Sequence, residues 1–358
     1  MRGGGDKIWG NRMNKKFAYY DTGHEFPEEI VMAAGFTPYK ILGNVHISTD
    51  PADRYVQNYI CPFSRSCLTE GMARSEDWAG IAFCHGCDTT NNQYDMWKYH
   101  VKTDFLYWIN TPAKNDKISR KFHSHELRRF KEHLEKQYDV KVTDDKLKEA
   151  IKKSNKIKNL MRQLAALRSM KDITNEEYFL ATHKCVQMDK DELVNDLEKT
   201  LQEWKGRSAF PPNRVPVLVT GSDITYPEAM QIFEAARLRI VRDDLSLGER
   251  YFAQTISEED DPIEALTIYN SRIPQPPTKI PFHVRLDYLR QCLKETKVAG
   301  IVLQRLMFCE PNGLDFPFLV RELKKDGHKL IVIEREYTPT IDQQFVSRLE
   351  SFRELITQ

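Results

Sequence analysis

No apolar run in the 358-residue sequence approaches the roughly 18 residues needed to span a bilayer, and the mean hydropathy is −0.58. A membrane-spanning helix is excluded. An excess of one charge sign is also missing, since 53 Lys and Arg face 52 Asp and Glu for a net charge of +1. Global attraction to a phosphate backbone is therefore excluded, and nucleic acid is not an expected partner. The opening stretch MRGGGDKIWGNRMNKK lacks the apolar core of a secretory signal. The protein reads as cytoplasmic, with Met13 as a second candidate start. Also missing are a Gly-x-x-x-x-Gly-Lys-Ser/Thr phosphate loop, a Gly-x-Gly-x-x-Gly fingerprint and a Gly-x-Ser-x-Gly elbow. Any nucleotide hydrolysis is expected on a partner. No period of roughly 20–50 residues repeats, which excludes a solenoid.

What is present alternates. YKILG, WAGIAFC (residues 78–84) and DFLYWIN (residues 104–110) are short apolar runs bounded by turn residues and read as buried strands. FPEEIVMAAG sets Pro27 and two carboxylates before an apolar face and Gly35 after it, the start and stop signals of a helix. From about Lys117 the pattern becomes helical. Thr143 and Asp144 can cap a helix in which Leu147, Ala150, Ile151, Ile157, Leu160, Met161, Leu164 and Leu167 recur at helical spacing. Its lysines alternate with acidic residues and read as a solvated face. After the Pro-rich break RSAFPP, a second βαβ rhythm follows in VPVLVTGSD (residues 215–223), RIVRDD, VAGIVLQRLMF (residues 298–308) and KLIVIERE (residues 329–336). The expected fold is α/β, with two Rossmann-like (flavodoxin-like) parallel-sheet halves facing a central cleft. The expected divisions are an N-terminal extension (1–20), an α/β domain (21–117), a helical segment (118–206) and a second α/β domain (207–358).

Seven cysteines cannot all pair within one chain, and in a reducing compartment thiols point to metal binding or catalysis. Cys61 and Cys67 lie in YICPFSRSC, Cys84 and Cys87 in AFCHGCDTT after a strand, and Cys309 in MFCEPNG after another. Strand ends are where α/β proteins hold ligands, so Cys87 and Cys309 are expected to face a shared crevice. Cys185 and Cys292 lie in helical sequence and read as packing residues. Cys61, Cys67, Cys84 and Cys87 could form a four-thiolate zinc site, or some of the five could hold an iron–sulfur cluster. Spacing leaves both open.

In order and spacing, FPEEIVMAAG, CPFSRS, the CD of HGCDTT, VTGSDI, DDLSLGERYF, MFCEP, VIEREY and RLESF resemble the 2-hydroxyacyl-CoA dehydratase family, which includes benzoyl-CoA reductase subunits. The likeness runs from Phe26 to Glu354 and is of the iron–sulfur D-component type. It implies one [4Fe-4S] cluster with an open iron, held at the matching positions Cys61, Cys87 and Cys309. Cys67, Cys84 and His85 are further candidates as ligands or as neighbours of the cluster. The segments DDLSLG and the stretch before FHVRLD carry no cysteine, so the larger double-cubane cluster of some members is not expected.

The resemblance further implies a heterodimer with a related subunit and a separate ATP-hydrolysing iron–sulfur activator that delivers single electrons. The implied chemistry is elimination of water from an (R)-2-hydroxyacyl-CoA through a ketyl radical, or ring reduction of benzoyl-CoA. A non-catalytic, zinc-stabilised α/β binding module is the alternative of another class. Among other polar residues, Glu28 and Glu29 are candidate acid/base groups, although first-turn carboxylates also serve the helix dipole. Arg65 is a candidate for a substrate carboxylate or phosphate, or for a local pair. Asp243, Asp244 and Arg250 read as loop bracing.

Overall fold

The computed structural model describes residues 15–358; Met13 and the other residues before Lys15 lie outside the described residues. The first sheet comprises β1 (Lys16–Tyr20), β2 (Thr37–Lys40), β3 (Ile81–Cys84) and β4 (Leu106–Ile109), all parallel in the order β2-β1-β3-β4. Around it lie α1 (Glu28–Ala33), α2 (Asp50–Asp53), α3 (Pro62–Arg74) and α4 (Asp88–His100). β1 is an inner strand whose Phe17, Ala18 and Tyr19 are fully buried. The expected extension over 1–20 is therefore corrected: the chain joins the sheet at Lys16 and the core at Phe17. The run FAYY is too short to carry a period of its own, and only pairing on both sides makes it a strand.

Four helices follow, α5 (Lys117–Tyr138), α6 (Asp144–Leu167), α7 (Asn175–Gln187) and α8 (Lys190–Lys205). Thr143 accepts from the Lys146 N–H at the start of α6, and Thr174 and Glu177 form a reciprocal capping box on α7. The second sheet contains β5 (Val215–Gly221), β6 (Leu238–Asp244), β7 (Gly300–Leu306) and β8 (Leu330–Arg335), parallel in the order β6-β5-β7-β8. Its helices are α9 (Glu228–Ala235), α10 (Glu249–Phe252), α11 (Pro262–Arg272), α12 (His283–Glu295), α13 (Glu310–Lys325) and α14 (Gln343–Thr357). Two four-stranded parallel sheets wrapped by helices are the α/β architecture expected from the sequence. Among the described residues no helix is long and apolar enough to cross a membrane.

The cores do not respect the boundary at 207. Leu127 and Phe130 of α5 and Leu147 of α6 join the core of the first sheet, and so do Ile263, Leu266 and Tyr269 of α11, from beyond the Pro-rich break. Helices α6–α8 form a core with Leu247, Tyr251 and Phe252. Buried ion pairs fasten the same seam: Glu28 with Lys190 at 2.9 Å, Glu29 with Lys158 at 3.5 Å and Glu25 with Lys279 at 2.7 Å. The two sheets are thus locked together.

Gly221, the last residue of β5, shows how tightly the strand ends are fitted. Its φ is +126°, and a Cβ there would run into the Gln304 carbonyl oxygen. Gly221→Ala is expected to cost at least about 1 kcal/mol, read as a lowered Tm. An unchanged Tm would show that the loop yields.

Candidate functional site

Each sheet reverses its strand order beside its first strand, between β1 and β3 and between β5 and β7. Ligands of doubly wound sheets sit outside the carboxyl ends of the strands at that point. Asp21 fixes the loop after β1 by accepting from the backbone N–H groups of Gly23, His24, Glu25 and Phe26. Across the cleft, the Ser222 hydroxyl after β5 accepts from the Leu306 N–H at 3.0 Å and from Asn312 Nδ2 at 3.3 Å. Loops from both sheets enclose a cavity of about 90 Å³ lined by Cys61, Cys87 and Cys309 together with Tyr20, Phe63, Arg250 and Asn312.

Each of these three cysteines caps the start of a different helix, Cys61 at α3, Cys87 at α4 and Cys309 at α13, and none makes a side-chain capping bond. Three positive helix ends therefore meet at one cavity, the arrangement that favours negative charge. Burial opposes it. Burial, and then the neighbouring Cys309, push the Cys61 thiol up to about 12, although the Phe63 and Ser64 N–H groups pull it down. Cys87 is raised by burial against bonds from the Thr90 hydroxyl and the Thr89 and Thr90 N–H groups. Such thiols ionise when a bound metal supplies the countercharge. Two sulfurs already have polar partners: Asn312 Nδ2 donates to Cys309 Sγ at 3.3 Å, and Thr90 Oγ1 stands 3.5 Å from Cys87 Sγ. Such outer partners orient ligands and tune the metal.

Among the described residues, no three His, Cys, Asp or Glu side chains converge closely enough to grip a single ion. Three soft thiols around one cavity, each on its own element, suit attachment to separate irons of a cluster better than one mononuclear ion.

The other sequence candidates lie elsewhere. Cys67 sits in the core on one face of the first sheet, its thiol toward the Ile41 carbonyl at 3.9 Å, and Cys84 sits in the core on the other face. The four-thiolate set is not assembled. His85 is held between the Thr111 carbonyl (Nδ1, 3.3 Å) and Asn91 Nδ2 (Nε2, 2.8 Å), so both ring nitrogens are engaged. Glu28 and Glu29 do not line the cavity. Glu28 accepts from Tyr19 at 2.5 Å and from Tyr251 at 3.0 Å, and Glu29 from Ser154 at 2.6 Å. Their helix packs on the helical segment, and they serve its buried lysines. Arg65 pairs with Asp53 at 2.7 Å, away from the cavity. Cys185 and Cys292 are core residues, as expected.

The structure adds Ser222, Asn312 and Arg250 to the site. Their sequence signal is position: Ser222 directly follows a strand, and Asn312 lies in the first turn of the helix that Cys309 caps. Arg250 is held by Asp244, which accepts from Arg250 Nε at 2.7 Å, Arg285 Nε at 3.1 Å and the Thr220 hydroxyl at 2.8 Å. Burial alone would raise the Asp244 carboxyl, but the two guanidiniums hold it below the ordinary carboxylate range.

A benzoyl-CoA reductase subunit of Thauera aromatica is 24% identical over 303 residues, covering 82% of this chain and 78% of that protein. The (R)-phenyllactyl-CoA dehydratase beta subunit of Clostridium sporogenes is 23% identical over 334 residues, covering 92% and 89%. The beta subunit of (R)-2-hydroxyglutaryl-CoA dehydratase of Acidaminococcus fermentans is 23% identical over 314 residues, covering 85% and 82%. The model of the 2-hydroxyglutaryl-CoA dehydratase D-component family matches residues 24–356, nearly the whole chain, and the protein belongs to that family.

Proposed function

We propose that the chain is the [4Fe-4S]-bearing subunit of an ATP-activated 2-hydroxyacyl-CoA dehydratase, in which Cys61, Cys87 and Cys309 hold the cluster and leave one iron open. The observation that carries this reading is the meeting of three half-buried thiols at three helix starts in one cavity between two switch points. When bound, the cluster supplies single electrons and an open iron that can act as a Lewis acid. The chain's own residues do the rest. Tyr20, Phe63, Leu306, Pro276 and Pro277 give the cavity an apolar lining that disfavours water, as radical chemistry requires. Asn312 and Thr90 hold two of the sulfurs.

The relatives are named as subunits, which supports a related partner chain. The missing phosphate loop supports ATP hydrolysis on a separate activator. A benzoyl-CoA reductase subunit is the second reading, favoured by the likeness to the Thauera aromatica protein. A zinc-stabilised binding module is disfavoured by the separation of Cys67 from Cys84.

The test is anaerobic reconstitution with the partner subunit, activator and ATP, offering (R)-2-hydroxyacyl-CoAs and benzoyl-CoA in parallel. Loss of water is expected by product mass. Gain of hydrogen by benzoyl-CoA would favour the second reading, and a colourless, zinc-loaded chain would overturn both.

A further inference from the structure

Arg250 lines the three-cysteine cavity and is 2% exposed. Its Nε donates to Asp244, while its Nη2 is sealed from solvent and has no hydrogen-bond partner. A guanidinium stays charged and offers its donors in a rigid planar fork. A buried donor left unmet costs free energy, so native structures leave few of them.

The neighbouring carboxylates share the local guanidiniums. Asp244 is shared between Arg250, Arg285 and Thr220. Asp315 faces Arg285 through Oδ2, and its buried Oδ1 has no partner. Of the two carboxylates on the cavity, Asp223 and Glu310, Asp223 accepts from the Ser246 and Leu247 N–H groups and from the Ser246 hydroxyl. Arg250, held by Asp244, thus brings a fixed positive charge to the cavity wall.

We infer that the Arg250 guanidinium, fixed at the cavity wall by Asp244, presents its positive charge to the anionic group held by Cys61, Cys87 and Cys309, and thereby sets how readily that group takes up an electron. The inference rests on the cluster reading of the three thiols. A cluster bound by three thiolates gains negative charge on reduction, in a site with little water. A fixed cationic donor stabilises the electron-rich state more than the electron-poor one. The motif DDLSLGER then has two duties. Asp243 and Glu249 bind Arg168 of the helical segment, while Asp244 holds Arg250 at the cavity. Arg250 is a positioning residue that acts through the cluster, so its effect is read as a potential rather than as a rate.

The experiment compares the full chain, Arg250→Gln and Arg250→Lys, each reconstituted anaerobically with iron and sulfide. Iron content, circular dichroism and an EPR-followed redox titration are measured. Equal iron is expected in all three. In Arg250→Gln the reduced-to-oxidised ratio at a fixed low potential is expected to fall about tenfold, or ~59 mV for one electron, with partial recovery in Arg250→Lys. Identical potentials would overturn the inference. So would an unshifted potential in Arg250→Gln combined with loss of the EPR change on adding benzoyl-CoA, which would assign the donor to substrate. Should Arg250→Gln fail to fold or to hold iron, Arg250→Lys decides: a smaller shift of the same sign supports the inference, and no shift overturns it. A wild-type chain that takes up no iron defeats the cluster reading itself, before any variant is compared.

Discussion

Cys87→Ser is expected to leave the anaerobically reconstituted chain colourless, with iron falling from about four per chain to almost none. Serine fits the space, but its hydroxyl is a far harder and more basic ligand than a thiolate, and burial already disfavours charge at this position. No neighbour can replace the lost thiol. Cys84 is the nearest in sequence, but it is fully buried in the core beneath the sheet. Along β3, Ile81 and Phe83 face one core while Ala82 and Cys84 face the other. Cys67 lies fully buried on the opposite face from Cys84. Cys67→Ala and Cys84→Ala are therefore expected to keep their iron and serve as controls. Visible absorbance and an iron assay make the comparison. A brown Cys87→Ser protein, or iron lost only from the two control variants, would remove the assignment of ligands.

The pattern of legibility follows from where each signal resides. Strands such as Ile81–Cys84 and Gly300–Leu306 are readable because buried parallel strands are continuous apolar runs ended by turn residues. The cysteines are readable because a thiol after a strand end is placed by the topology alone. β1 is not, because four apolar residues show no period until two neighbouring strands cover them. Nor is the return of α11 to the first core, since its apolar face says only that it packs and not on which sheet. Glu28 and Glu29 carry the pattern of first-turn carboxylates whether they face solvent, substrate or, as here, buried lysines. Arg250 is a harder case, because its role depends on the fold setting its charge beside three cysteines distant in sequence, and no local pattern encodes that.

Arg285→Met is expected to destabilise the fold by about 3–5 kcal/mol at neutral pH, because removing one partner leaves buried carboxylates uncompensated. Arg285 is itself buried, donates to Asp244 and to the Thr220 hydroxyl, and pairs with Asp315. Met keeps most of the volume but none of the donors. The dependence on pH separates this cause from simple loss of packing. In the wild type, burial would raise Asp244, but Arg250 and Arg285 hold it below its unfolded value. It therefore contributes stability that is fully present above the unfolded carboxylate range and lost as pH falls through the folded value. In the variant Arg250 and the Thr220 hydroxyl still oppose burial at Asp244 but Arg285 no longer does, so that carboxyl rises. Asp315, already raised by burial in spite of Arg285, rises further. Both groups then take up protons on folding as the solution is acidified, and the gap between wild type and variant narrows. Urea unfolding at neutral and mildly acidic pH measures it. A deficit that stays constant with pH would assign the loss to packing. A narrowing one would identify the buried carboxyls of Asp244, which also holds Arg250 at the cavity wall, and of Asp315 as the charges that Arg285 compensates.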